Sequence, residues 1–562
     1  MRKIQLENNP LTDSFIQAAS KILYHDPRVQ FQESKPVLSL EPCPRVLLGG
    51  ILIDGTGRPP VKDSIVLIKG DYIVAAGKKG EVEVPPGSEV YNVSGMTVLP
   101  GLIDSHCHFY SMGIGMLRTI NLCDTASLAE AVSRVKEKVR SLPKGEWVLG
   151  RGWDESKWPE NRYMTKEDLD SFSPDNPIML TRICGHMISI NSKALKIAGI
   201  TKETPNPEGG QIDKGVDDEP TGVLRDCRHL IEQHIPPVTE KTAVEGLKMA
   251  SEYALSLGCT SIHDAGLDAD AIRAYQSALD TGALKVRAYL MLREGTQELS
   301  YKLGLRSGFG SDMIKIGCSK LLMDGSLGAR TAALFEPYTD EPSTKGLLLM
   351  PLEKLLEKAK AAHLNGSQIA IHAIGDLAIE NVINSYQNVL KARPRKDHRH
   401  RIEHCEILTA GQIERIRELG IIPAMQPNFV GEWAGPGSMY EQRLGPERNR
   451  LNNPYRTLLD EGIMVCFGSD GMPFNPTYGL WSAVNHGIKE SRVSLIEAVK
   501  CYTLNGAYAS FEEDLKGSIE PGKLADIAVI DCDLTKTPPD EIRDAKVYMT
   551  LVNGKILYHK GL

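Results

Sequence analysis

Between residues 97 and 470, short apolar runs alternate with stretches of helical periodicity, and no other feature constrains the fold of this chain so tightly. The runs are Thr97–His108, Thr260–Ala265, Val286–Leu292, Met313–Asp324, Gln368–Ile374, Arg399–Glu406, Ile421–Pro427 and Ile463–Asp470. Helical stretches such as Glu240–Leu257, Leu352–Asn365, Ala378–Lys391 and Thr409–Leu419 lie between them. Eight strand–helix units are what a closed (β/α)8 barrel requires. The interval between the first and second runs is far too long for one crossover, so residues 113–238 read as an inserted subdomain.

Both ends of the chain have a different texture. Arg45–Ile53, Ser64–Lys69, Tyr72–Gly77 and Glu89–Asn92 read as short strands separated by turns. Ala525–Asp531 and Val547–Leu557 match them near the C-terminus, with Asn553-Gly554 as a tight turn. The expected fold class is therefore α/β: a (β/α)8 TIM-like barrel with a small β-sandwich domain formed from both termini and an insertion after the first barrel strand. The expected divisions are an N-terminal extension at 1–44, helical around Thr12–Tyr24; a composite β-domain from 45–96 and 515–562; and a barrel over 97–514.

At 562 residues the chain exceeds the usual reach of one core, which agrees with several units. A formal charge of −7 argues against a nucleic-acid-binding surface. The cysteines are spread without a C-x-x-C pair and several sit in apolar runs, as free buried thiols in a reducing compartment would. Residues 1–10 lack the apolar core of a signal peptide, and no apolar stretch reaches membrane-spanning length. The expectation is a cytoplasmic protein whose partner is a small-molecule substrate, with no nucleic acid and no membrane, and with self-association into a homo-oligomer left open.

The chemistry sits at the ends of the apolar runs. The first delivers His106-Cys107-His108, and residues two apart on a strand point to one side, so both imidazoles can converge on one metal ion. The fifth run carries His372 towards its C-terminal end, the sixth carries His404 there, and the eighth ends in Asp470. Any one of these alone reads as a satisfied polar group. Together, and in order, they mark the rim where barrel enzymes carry catalytic residues. The fourth run holds two lysines five apart, facing opposite sides, with Lys320 nearer that rim than Lys315. Carbamylated by CO2, Lys320 becomes a carboxylate-like bridge able to hold two divalent ions; the competing reading pairs it with Asp324.

These motifs resemble the amidohydrolase superfamily, and within it the amidohydrolase-3 family of YtcJ-like enzymes and N-substituted formamide deformylases. The resemblance rests on Leu99–His108, Lys320–Thr331, Ile371–Asp376, Arg401–His404 and Gly468–Asp470. Further matches are Gly150–Asp154, Gly185-His186 before Asn191–Leu195, Gly222–Arg225, Thr503–Ala507 and Gly517–Ile530. It covers residues 45–562. It implies that His106, His108 and Asp470 bind the more buried metal, that His372 and His404 bind the other, and that carbamylated Lys320 bridges them. Zinc is the first choice, as one or two ions; manganese, iron or cobalt would use the same ligands. It also implies hydrolysis of a non-peptide C–N bond (amide, formamide or cyclic amide) by a metal-activated water, with Asp470 as the catalytic proton carrier.

Two other functions stay open. One is a deaminase of the same superfamily acting on a ring amidine; such enzymes usually carry a glutamate three residues beyond the fifth-strand histidine, where this chain has Gly375. The other is a non-enzymatic regulatory protein on the same fold, whose mark would be a lost ligand. Substrate contacts are assigned to His186, Trp153 and Arg182 of the insertion, and to Asp324 and Arg330 after the fourth run, with core packing as the alternative for Trp153 and Trp158.

Overall fold

In the computed structural model, residues 43–182, 187–207 and 210–561 are described. The expected helix around Thr12–Tyr24 lies outside the described residues. Residues 44–562 form one compact unit.

Eight parallel strands follow one another in strict order: Leu102–Cys107, Cys259–Leu267, Arg287–Leu292, Ile314–Leu322, Ile369–Ala373, Arg401–His404, Ile422–Met425 and Cys466–Phe467. Helices such as Glu240–Ser256, Leu352–Leu364, Asp376–Ala392 and Ala410–Leu419 cover the outside. Their apolar faces explain their position: Ile379, Val382, Ile383 and Tyr386 on one of them are fully buried against the strands. The lumen is filled by Ala265, Tyr289, Met291, Cys318 and Ala370, so the barrel is a packed core, not a channel.

The eighth strand is only two residues long, and hydrogen bonds of the turn after it join it to the first strand. The N–H groups of Ser469 and Asp470 donate to the carbonyl of His106 at 3.2 and 2.7 Å. Asp104, fully buried on the first strand, accepts from the Ser469 N–H at 3.0 Å and from its hydroxyl. The approach is so close that a Cβ on Gly468 would stand 2.4 Å from the His106 nitrogen, and only glycine fits.

The run read as one strand over Thr97–His108 is two. Pro100-Gly101 interrupts it: Thr97–Pro100 pairs antiparallel with Ile527–Ile530, and Leu102–Cys107 enters the barrel. Proline has no N–H for a ladder, so a change of partner there costs no hydrogen bond. The strands from both ends run in one hydrogen-bonded sheet, in the order Lys555–His559, Val547–Val552, Ile527–Ile530, Thr97–Pro100, Arg45–Leu52, Val61–Lys69, Tyr72–Lys78, with Glu89–Asn92 beside Arg45–Leu52. Arg45–Leu52 changes partner along its length, pairing Glu89–Asn92 first and Thr97–Val98 last, with register shifts around Gly50. The strands from the two ends thus share one continuous sheet, and Leu47, Leu52, Val66 and Ile68 of its N-terminal part are buried in one cluster with Ile527, Val529, Met549 and Leu551 of its C-terminal part. At Asn553-Gly554 both residues have positive φ (51° and 65°), the geometry of a tight two-residue hairpin.

Beyond His108 the chain forms helix Phe109–Arg118, which crosses the expected boundary at residue 113 and packs on Glu240–Ser256. The insertion's own sheet starts at Thr119. Its strands lie in the order Gln211–Lys214, Pro220–Arg225, Met187–Ile190, Ile178–Arg182, Val148–Trp153, Thr119–Asn121. Cys107, Cys259, Cys318, Cys405, Cys466 and Cys501 are free and buried. Among the described residues, no helix is long and apolar enough to cross a membrane.

One ion pair bolts the terminal sheet to the barrel. Arg287 donates through Nε and Nη2 to Asp526 at 2.6 and 2.9 Å, with both side chains almost fully buried. Removing one member of such a pair strands a buried charge. Asp526→Ala is expected to cost about 3–5 kcal/mol of stability in chemical denaturation; a loss below about 1 kcal/mol would assign the bond between the two units to apolar packing instead.

Candidate metal centre and substrate cleft

His106 is the last residue but one of the first barrel strand and His108 follows its end, with Cys107 between them turned the other way and buried. The ring of His106 is oriented by a contact from the opposite side of the barrel: Nδ1 meets the carboxylate of Glu403 on the sixth strand. Glu403 is itself clamped by Arg401, whose Nε and Nη2 donate to it at 2.7 and 2.9 Å. Nδ1–H of His106 is thereby committed, and Nε2 presents its lone pair to the barrel mouth. His108 follows the same logic, with Nδ1 3.1 Å from the carbonyl of Ala265. Its Nε2 then stands 3.1 Å from Oδ1 of Asp470, which is 3.6 Å from Nε2 of His106.

Three lone-pair donors, from His106, His108 and Asp470, thus lie within 4.8 Å of one another. A cation between them would meet all three donors at once. His404 adds a buried Nδ1 with no hydrogen-bond partner, its ring 4.8 Å from that of His106 and 4.3 Å from that of His372. Lys320 Nζ lies 3.4 Å from His106 Nε2. The structure therefore gathers all six residues read from the sequence as ligands at the C-terminal rim. This donor set, imidazole nitrogens with a carboxylate, fits a divalent cation of the zinc type.

The electrostatics of the three deeper imidazoles point the same way, whereas the pKa of His108 is raised by its contact with Asp470. Burial, reinforced by the Lys320 cation, lowers the pKa of His106 far below normal and that of His372 to about 4. His404 is depressed by burial and by its histidine neighbours. Neutral imidazole is the metal-binding form. Burial also lowers Lys320, which favours the free amine that CO2 requires. At Asp470 burial acts upward, but the contact with His108 and the charges of His106, His108 and Lys320 prevail and hold the carboxyl below its usual value.

Backbone strain accompanies these positions. His404, Cys405 and Asp470 have φ of 71°, 52° and 56°, a region costly for residues with a Cβ. Hydrogen bonds hold them there, from the N–H of Cys405 to Ala373 (3.0 Å) and from that of Asp470 to His106.

Other expected residues sit elsewhere. Lys315 faces the far end of the barrel, its Nζ 3.0 Å from Glu512. Trp153 is not at the barrel mouth: it is fully buried in the insertion core, stacked on Trp158, with Nε1–H donating to Leu180 at 3.0 Å. Arg182 pairs with Glu155 at 2.8 and 2.9 Å in a cavity of the insertion. Asp324 does not pair with Lys320 and offers no face to a substrate. Its carboxylate accepts from the N–H groups of Ala333, Ile374 and Gly375 at 2.9–3.0 Å, tying the loop after the fourth strand to the end of the fifth. Arg330 turns outward to Asp340, although Leu327, Gly328 and Ala329 beside it line the cleft. His186 lies outside the described residues.

Two chambers open from the site. One, of about 660 Å³, is walled by Leu327, Phe429, Trp433, Met439 and Tyr440. The other, of about 440 Å³, lies beneath the insertion and includes Met112, Met116, Asn121 and Arg151. Asp470 and Met472 line both. Sequence reasoning missed Glu403 and also Glu406, a buried carboxyl in the first chamber whose Oε2 has no hydrogen-bond partner. Burial raises its pKa to about 8. A signal for Glu403 existed: Arg401 and Glu403 are two apart on a strand that ends in His404, and a ligating histidine wants a carboxylate on its second nitrogen.

A family model described as "Amidohydrolase family" matches residues 89–558. YtcJ of Bacillus subtilis is 34% identical over 527 residues, covering 90% of this chain and 97% of its own length. The N-substituted formamide deformylase of Arthrobacter pascens is 30% identical over 521 residues, covering 88% and 95%. Among solved structures, a metal-dependent hydrolase of Pyrococcus furiosus superposes with a TM-score of 0.72 at 28% identity, covering 89% of this chain and 100% of that one.

Glu403→Gln is expected to weaken metal binding about 10–100-fold, read by chelator competition, because the amide cannot accept from His106 as the carboxylate does. Unchanged affinity would mean that the Glu403 contact does not orient a ligand.

Proposed function

Because the chain belongs to the amidohydrolase family, and is by that membership an enzyme hydrolysing carbon–nitrogen bonds, we propose that it cleaves a non-peptide amide, formamide or cyclic amide. The convergence of His106, His108 and Asp470, with an unpartnered His404 nitrogen beside them, carries this reading. His106, His108 and Asp470 would hold one divalent cation and His372 and His404 a second, with the carbamate of Lys320 between them. A cation bound there supplies Lewis-acid polarisation of the carbonyl and acidifies water.

The chain's own residues do the rest. Glu403 keeps Nδ1 of His106 protonated and its Nε2 free. Asp470, ionised at neutral pH, takes a proton from the attacking water as the carbon–oxygen bond forms. It returns that proton to the nitrogen as the carbon–nitrogen bond breaks, so the amine leaves neutral. The aromatic walls of the larger chamber exclude water from an apolar substituent. The carbamate itself forms from the neutral lysine amine and CO2 with release of one proton, a step that the burial of Lys320 favours.

The deaminase alternative meets a steric objection. It needs a glutamate at position 375, and there a Cβ would stand 2.0 Å from the carbonyl oxygen of Ala333. The regulatory alternative lacks its expected mark, since no ligand in the set is replaced.

A panel of formamides, N-acyl amino acids and aminopyrimidines on metal-analysed protein is the direct assay. With any substrate it reveals, Asp470→Asn should lower kcat by about 10²–10⁴-fold while metal is retained. A rate near wild type removes Asp470 from proton transfer. Lys320→Ala should lose metal and activity, with partial recovery in bicarbonate plus a short carboxylic acid. Lys315→Ala should keep both, and a loss of metal there would refute the assignment of the bridge to Lys320.

A further inference from the structure

The second chamber contains a feature that hydrolysis itself does not use. Strand Val148–Trp153 of the insertion carries Gly150-Arg151-Gly152, and its neighbours run parallel on both sides. The register sets Arg151 opposite Asn121 on one side and Thr181 on the other. Paired residues on adjacent strands point to the same face at a spacing of about 4.8 Å. An amide, a guanidinium and a hydroxyl therefore stand in one row.

The backbone beneath the row is closely packed. Gly152 has φ of 92°, and a Cβ there would lie 2.1 Å from Sγ of Cys123. The Arg151 carbonyl accepts from Leu122 at 2.9 Å. Oδ1 of Asn121 accepts from the Cys123 N–H at 3.0 Å, which turns its Nδ2 donors outward. Arg182 and Arg228, which share the insertion cavity with Arg151 and Thr181, pair with Glu155 and Glu232. Among the described residues, Arg151 has no carboxylate partner. Arg151 and Asn121 also line the chamber that holds His108 and Asp470.

We propose that Asn121, Arg151 and Thr181 form a carboxylate-binding subsite, so that the substrate is an amide bearing an anionic group on the side of the insertion and an apolar group in the aromatic chamber. N-acyl amino acids have that form. A planar guanidinium fits a carboxylate through two parallel hydrogen bonds, and flanking single donors complete its shell. Asp470, lining both chambers, marks where the scissile bond would lie between the two groups. This inference rests on the proposed hydrolysis for the word substrate, but binding tests it independently.

The probe is N-(benzenesulfonyl)glycine, whose sulfonamide is not hydrolysed, compared with its neutral glycinamide analogue by calorimetry on metal-loaded protein. The wild type should bind the acid more tightly than the amide. Arg151→Gln should weaken the acid about 10–100-fold, the worth of hydrogen bonds to a charged group, and leave the amide within about twofold. Arg151→Lys should recover only part, since an ammonium cannot form the two-point contact. In turnover, N-benzoylglycine should lose through KM in Arg151→Gln while N-benzoylglycinamide keeps its kcat/KM. Equal binding of acid and amide by the wild type, or equal losses for both in Arg151→Gln, overturns the subsite. Selective binding without hydrolysis of either benzoyl compound supports the subsite and counts against the proposed reaction.

Discussion

The site depends on a charge cluster buried inside the barrel. Arg401 and Glu403 are both fully buried, and the guanidinium spans the lumen to the carbonyl of Ser105 at 2.6 Å and to Nδ1 of His263 at 2.9 Å. Glu403 uses its second oxygen on His106. Two charges in such a place are tolerated only when their donors and acceptors are met, and this cluster meets them from the first, second and sixth strands. The interaction that satisfies Glu403 is also the one that aims His106. Stability of the barrel interior and orientation of the proposed ligand His106 are one contact.

Rigidity of the rim follows from the same economy of partners. His404, Cys405 and Asp470 occupy backbone conformations that cost on the order of 1–3 kcal/mol each for ordinary residues. Hydrogen bonds from Cys405 to Ala373 and from Asp470 to His106 on neighbouring strands hold the chain in that geometry. Asp104 adds a further constraint. Its carboxyl, raised by burial to about 7, holds Ser469 and so fixes the turn that presents Asp470. The proposed ligands at these positions are therefore held in place by the fold itself, which would reduce the ordering that binding a cation must supply.

Chemistry and selectivity are divided spatially. The barrel strands carry the proposed ligands and the proton carrier, while the aromatic loops and the inserted sheet shape the two chambers on either side of Asp470. A reaction centre on strands with specificity on surrounding segments lets one mechanism serve many amides. It also explains why Trp153 and Asp324, both in motifs shared with the family, turn out to be buried supports: they hold in place the strand that bears Arg151 and the loop that walls the aromatic chamber.

Periodicity and residue type alone disclosed the barrel strands, the helices between them, the insertion and the histidines at the strand ends, because each depends on neighbours within a few residues. The break of Thr97–His108 was foreshadowed by Pro100-Gly101, yet its meaning depended on Ile527–Ile530 arriving from the other end of the chain. Glu403 and His106 are separated by 297 residues, and nothing in either segment says that they meet. Arg151 differs from Arg182 and Arg228 in having no carboxylate beside it among the described residues, which a linear reading cannot distinguish. What the sequence determined by itself was which residues can ligate and on which kind of element each one sits. Which carboxylate aims which imidazole, and which arginine is left without a carboxylate partner among the described residues, were decided only by closure of the barrel and the register of the inserted sheet, since hydrogen bonds and ion pairs act over a few ångströms of space and take no account of distance along the chain.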